Sequence, residues 1–231
     1  IMAGYQGSYD EMSNYNRFTN LDSIEWKIIS HLLYSQTKNA QNIWKILKYP
    51  TMDCLFKDNV SLEERYALID TEDGQETNKR VFLSRYVDDA WTEQCAHLHI
   101  YIDGIFPTNH EVAVVNIALE TISHSKIIKI MGDADAQDIN PLLPNPNPND
   151  SDKKGETVVL YKNRESVLLK SVIAELNGLY LDGIGYFQFN QKTNYYNNSQ
   201  QNLWNGRTYL GHVTKMAMLV SGLAEGPNSN F

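Results

Sequence analysis

Cysteine, basic runs and long apolar runs are all scarce in this 231-residue chain. Its two cysteines, Cys54 and Cys95, lie far apart in apolar or amphipathic surroundings. They form neither a disulfide framework nor a zinc knuckle, and they read as reduced, partly buried thiols. Lys and Arg number 20 against 28 Asp and Glu, a formal charge of −8. Binding to double-stranded nucleic acid needs basic side chains to neutralise phosphates, which argues against that class of partner. No segment reaches the roughly 20 apolar residues of a membrane span. IMAGYQGSYDEMSNYNRFTN at the N-terminus lacks the basic and apolar regions of a signal peptide. The expectation is a soluble protein with no secretion signal and no membrane contact.

Catalytic signatures are missing as well. DGIGYF and WNGRTYLGH contain glycines, but neither forms G-x-G-x-x-G or G-x-x-x-x-G-K between strand and helix, so no phosphate cradle is expected. There is no G-x-S-x-G elbow and no Cys–His nucleophile setting. The expected protein is not an enzyme and carries no cofactor.

The residues present describe an α+β domain with helices packed on a mainly antiparallel sheet. Residues 1–20, rich in Gly, Ser, Asn and Tyr, read as an extended arm. Asp22 or Ser23 can cap a helix through IEWKIISHLLYSQ, where Ile24, Ile28, Leu32 and Trp26, Ile29, Leu33 have helical spacing. A second helix through AQNIWKILKY starts near Asn39 and stops at Pro50. Ser61 and Glu64 have capping-box spacing for a third helix near 61–69. Beyond Trp91 the period changes to two: Cys95, His97, His99 and Tyr101 take one face, and Ala96, Leu98, Ile100 and Ile102 the other. EVAVVNIALETISHS forms the second strand of that hairpin. RESVLLKSVIAELNGLY is an amphipathic helix with Gly178 at its C-terminal cap. TVVLYK, IGYFQF and TYLGHVTKMAMLV add strands. Residues 21–225 are thus one domain, with inserted loops near 133–155 and 190–206 and a tail at 226–231.

Three groups invite chemistry. His97, His99 and Asp103 in HLHIYID, with His110 or His124 nearby, could build a metal-dependent hydrolase, because H-x-H on a strand puts both imidazoles on one face. The plainer reading makes them solvent- or interface-facing polar positions, with no metal. Asp88, Asp89 and Glu93 could hold Mg²⁺, although no catalytic Lys motif accompanies them, or could be a solvated cluster. The polar, aromatic stretch from Asn190 to Asn205 suits protein contact, a plain loop or a sugar platform. Tyr195, Tyr196 and Trp204 are its candidate contact residues, joined by Tyr5 and Tyr9 of the arm.

Three segments together resemble a known class: IEWKIISHLLYSQTKNAQNIWKILKYPTMDCL, AHLHIYIDGIFPTNHEVAVVNIALETISH, and ELNGLYLDGIGYFQFN with NGRTYLGHVTKMAMLVSG. In pattern and order they are similar to the neck and tail-terminator proteins of tailed bacteriophages, over about two thirds of the chain. That resemblance implies a structural virion protein made in the host bacterial cytoplasm. It would form a ring of six or twelve copies, a head–tail connector of the terminator or adaptor/stopper kind. Its neighbours would be other neck, portal or tail proteins, and DNA would pass through the channel without specific binding. The family carries no catalytic residues, and Gly183, Ile184, Gly185, Phe187 and Phe189 would be fold elements. The competing expectation is a carbohydrate- or receptor-binding virion module, motivated by Tyr195, Tyr196 and Trp204.

Overall fold

The computed structural model describes residues 23–71, 78–84, 93–107, 112–131, 161–181, 185–189, 201–205 and 208–221. Among the described residues four α-helices accompany the sheet: α1 (Ile24–Tyr34), α2 (Lys38–Lys48), α3 (Leu62–Ala67) and α4 (Arg164–Leu176). The strands are β1 (Val81–Phe82), β2 (Ala96–Pro107), β3 (Val112–His124), β4 (Lys129–Met131), β5 (Tyr161–Asn163), β6 (Tyr180–Leu181), β7 (Gly185–Gln188), β8 (Gln201–Asn205) and β9 (Tyr209–Ser221). The main sheet runs β1-β2-β3-β9-β7-β6, with β8 also beside β9, while β4 and β5 pair separately. Every pairing is antiparallel except β1 with β2. This is the α+β fold expected from the sequence, with its helices at the N-terminal end and in α4.

One face of the sheet carries the core. Leu98 and Ile100 of β2, Val115, Ile117 and Leu119 of β3, and Met216 and Met218 of β9 pack in a single cluster with apolar residues of α1, α2 and α4. Burial of this face supplies the main drive for folding, at about 25 cal/mol per Å² of apolar surface. The α1–α2 hairpin is held by Trp44, whose indole N–H donates to the Leu32 carbonyl at 2.8 Å. Glu175 of α4 ties the hairpin down: Ser35 and Thr37 hydroxyls donate to its carboxylate, and His31 Nε2 lies 3.1 Å from it. Burial alone would raise the Glu175 carboxyl, but these three partners outweigh it and hold the group below its usual range.

Two buried arginines close helix ends. Arg65 donates to the carbonyls of Leu33 and Ser35, at 2.7 Å each, and to Val60 at 3.0 Å. It thereby satisfies carbonyls that α1 leaves open at its C-terminus. Arg164 does the same for α2, reaching Ile46, Tyr49, Pro50 and Thr51, and adds Ile127. The capping box foreseen at Ser61 and Glu64 is formed reciprocally, at 3.3 and 3.0 Å. Gly178 has φ +83, the left-handed value that a helix C-terminus favours.

Several details depart from the sequence reading. The cap of α2, expected at Asn39 or a neighbour, is Thr37, whose hydroxyl accepts from Ala40 N. A hydroxyl three residues before a free N–H completes the turn, and Asn39 lies inside the helix. Residues 201–205 are a strand, with Gln201 opposite Val213 and Asn205 opposite Tyr209, so the insertion drawn from 190 to 206 is not loop throughout. Backbone pairing with β9 overrode a composition poor in β-branched residues. The short strands β1, β4 and β6 had not been foreseen, since two or three residues carry no readable period. The loop expected at 133–155, the arm at 1–20 and the tail at 226–231 lie outside the described residues.

Gly185 has φ +138, and a Cβ there would come within 2.1 Å of the Leu219 carbonyl oxygen. Gly185→Ala is therefore expected to cost about 2–4 kcal/mol through strain and lost β7–β9 pairing. Chemical denaturation measures this, and a cost within error of zero would contradict the close approach.

Candidate functional site

The second face of the sheet is the one that α1, α2 and α4 leave uncovered, and its character changes from end to end. Register places the side chains in cross-strand rows. At one end His97 lies opposite Ile122, and His99 opposite Glu120. Both histidines are buried, at 2% and 0% exposure, which corrects the expectation of solvent- or interface-facing positions. The strand alternation had the right face, but Phe82 of β1 stacks over His99 at 4.9 Å and also lies 5.6 Å from His97. His99 Nδ1–H donates to the Ser84 carbonyl at 2.8 Å, which sets its tautomer. Cys95 Sγ lies 2.9 Å from His97 Nε2. Burial pushes the Cys95 thiol up to about 11, so it stays protonated near pH 7, and it also donates to the Glu93 carbonyl at 3.5 Å. Burial likewise holds His97 well below its ordinary value and lowers His99 to about 4, leaving both imidazoles neutral near pH 7.

Among the described residues these side chains pair with separate partners. Asp103 forms an ion pair with Lys215 at 2.7 Å instead of joining the histidines. His124 Nδ1 accepts from Lys126 N, and Tyr101 donates to Glu120 at 2.5 Å. Among the described residues no three His, Cys, Asp or Glu side chains are grouped as metal ligands. Glu93 pairs with Arg80 at 2.7 Å, while Asp88, Asp89 and His110 lie outside the described residues. Cys54 and Cys95 are buried free thiols. A shallow groove along α4 is lined, among the described residues, by Lys170 as its one charged side chain, with Ser166, Leu169 and Ile173 beside it.

The other end of this face is apolar and open. Phe106 lies opposite Val114, and Val114 opposite Leu219. The antiparallel β7–β9 register, Phe187 to Met218, sets Tyr186 beside Leu219. Tyr180 is opposite Tyr186, with ring centroids 5.0 Å apart. Five strands thus contribute one row, in which Phe106, Leu219, Tyr186 and Tyr180 are 46%, 51%, 57% and 55% exposed and Val114 is buried between them. A β-bulge between Ile102 and Gly104 creates it. The extra residue, Asp103, shifts the alternation so that Phe106 points to the outer face, and a Cβ on Gly104 would meet the Phe106 ring at 2.9 Å. A contiguous apolar row on a monomer surface marks an interaction site more often than scattered single residues do.

Sequence reasoning had placed contact elsewhere. Tyr5, Tyr9, Tyr195 and Tyr196 lie outside the described residues, and Trp204 sits in β8 opposite Leu210. The signal for the row was present in VAVV and MAMLV, where apolar residues on both faces of a strand imply that both become covered. Comparison with family models, curated proteins and solved structures found no match for this chain.

Proposed function

We propose that this chain is a structural subunit that works by assembly, and that its place is the head–tail junction of a tailed bacteriophage. There it would form a neck ring joining portal and capsid to tail. The observation that carries the reading is the exposed row Phe106–Leu219–Tyr186–Tyr180 on an otherwise stiff sheet. Interfaces are enriched in aromatic residues at their centres and depleted of charge there, as this row is. The net charge of −8 fits a channel along which DNA slides, because an acidic lining gives phosphates no anchor. A ring subunit needs rigidity, and the buried arginines and the α-helical layer supply it.

Negative-stain images of the purified chain, alone and mixed with portal and tail proteins, test the placement. Rings of six or twelve copies are the expected outcome, and single subunits under every condition would remove the proposal.

A further inference from the structure

We infer that the row Phe106–Val114–Leu219–Tyr186–Tyr180 is the docking surface for residues 1–22 of a neighbouring copy. This rests on the assembly reading and names the partner of that surface. Ser23, the first described residue, opens α1 on the opposite face of the sheet near its β2 edge: Glu25 Oε1 accepts from Ile102 N at 3.0 Å, and Ile102 lies four residues before Phe106 along the strand. That is a separation of at most about 13 Å along β2. The row itself crosses five strands, or about 19 Å. Twenty-two residues in extended form reach about 70 Å, far enough to leave their own subunit and cross this row on the next one.

The chemistry of the two partners matches. Residues 1–22 include Tyr5, Tyr9, Tyr15 and Phe18 and only four charged side chains, Asp10, Glu11, Arg17 and Asp22. The row has no charge, and the row beside it, Gly104, Asn116, Ala217 and Gln188, is uncharged as well. Its four outer members are about half exposed, which leaves a surface that a segment of a second copy can cover. Aromatic side chains give large contact area at small entropic cost, which suits a segment that orders on binding. An arm passed from each subunit to the next makes a head-to-tail contact, the kind that closes into rings.

The test uses the full chain with a photo-cross-linking amino acid in place of Tyr9, prepared as a mixture of isotopically labelled and unlabelled copies. Cross-links between copies that map to peptides containing Phe106, Tyr186 or Leu219 are expected. Leu219→Lys should lower their yield about tenfold, because an ammonium would be left in an apolar contact, while the circular dichroism spectrum stays unchanged. Tyr186→Ser provides a second, uncharged variant with the same direction of effect. Cross-links confined to single chains, mapping elsewhere, or indifferent to both substitutions would overturn the inference. Copies that assemble with cross-links elsewhere would remove the arm contact alone. Copies that never associate, even with portal and tail proteins, would remove the assembly reading too.

Discussion

Arg164→Met should lower the stability of the folded chain by about 3–5 kcal/mol, the largest effect expected of any single side chain here. Arg164 is fully buried, and its guanidinium donates to five carbonyls, those of Ile127, Ile46, Tyr49, Pro50 and Thr51, at 2.7–3.1 Å. Methionine fills much of the volume but leaves those carbonyls without this donor, those of Ile46 and Ile127 in buried surroundings. Four of the five belong to the last turn of α2 and the residues that follow it, so the loss would free the end of that helix from α4. Arg164→Lys should recover only part of the stability, because an ammonium is a point donor that cannot spread over five acceptors. Denaturant midpoints for the three proteins measure this. A cost below about 1 kcal/mol for methionine would mean that the carbonyls find other partners.

Acidification should destabilise the fold between about pH 6.5 and pH 4, with His99 as a leading cause. Its ordinary value is 6.5, and burial lowers it to about 4 in the folded chain. The unfolded chain therefore takes up the proton first as pH falls. Stability is fully present above about 6.5, declines through the window, and loses nothing more from this residue below about 4. A gap of about 2.5 pH units corresponds to about 3 kcal/mol. His97, lowered by burial and by its neighbours His99 and Arg80, acts with the same sign. Glu165 opposes them: burial raises its carboxyl, so the folded state holds that proton more readily, although His212 at 3.5 Å pulls the other way. Urea unfolding at pH 7.5, 5.5 and 4.5 should show a shallower loss in His99→Gln than in the unaltered chain. Identical slopes would show that His99 is accessible and titrates as in the unfolded state.

Much of the framework was legible because it rests on local patterns. Ile24, Ile28 and Leu32 announce α1 by their spacing, the Ser61–Glu64 pair announces α3, and the alternation from Cys95 to Ile102 announces β2 and its two faces. What could not be read depends on contacts between distant residues. Whether His97 and His99 meet water is decided by Phe82 and Ser84, which a parallel pairing of two residues brings over them. The fate of Trp204 is decided by β9, and that of Phe106 by a single inserted residue in β2. Alternation alone would have put Phe106 on the core face. The exposed row is thus a product of register across five strands, and VAVV and MAMLV display only their own parts of it.

Native mass spectrometry of the unaltered chain and of a Tyr186→Ser/Leu219→Lys variant tests the central claim most directly, each measured alone and with portal and tail proteins. Both positions are more than half exposed, so the variant keeps the core intact. The unaltered chain should appear in a multimeric species of six or twelve copies, and the variant as a monomer under the same conditions. An unaltered chain that is monomeric throughout, or a variant that assembles as well as its parent, would contradict assembly through this face of the sheet.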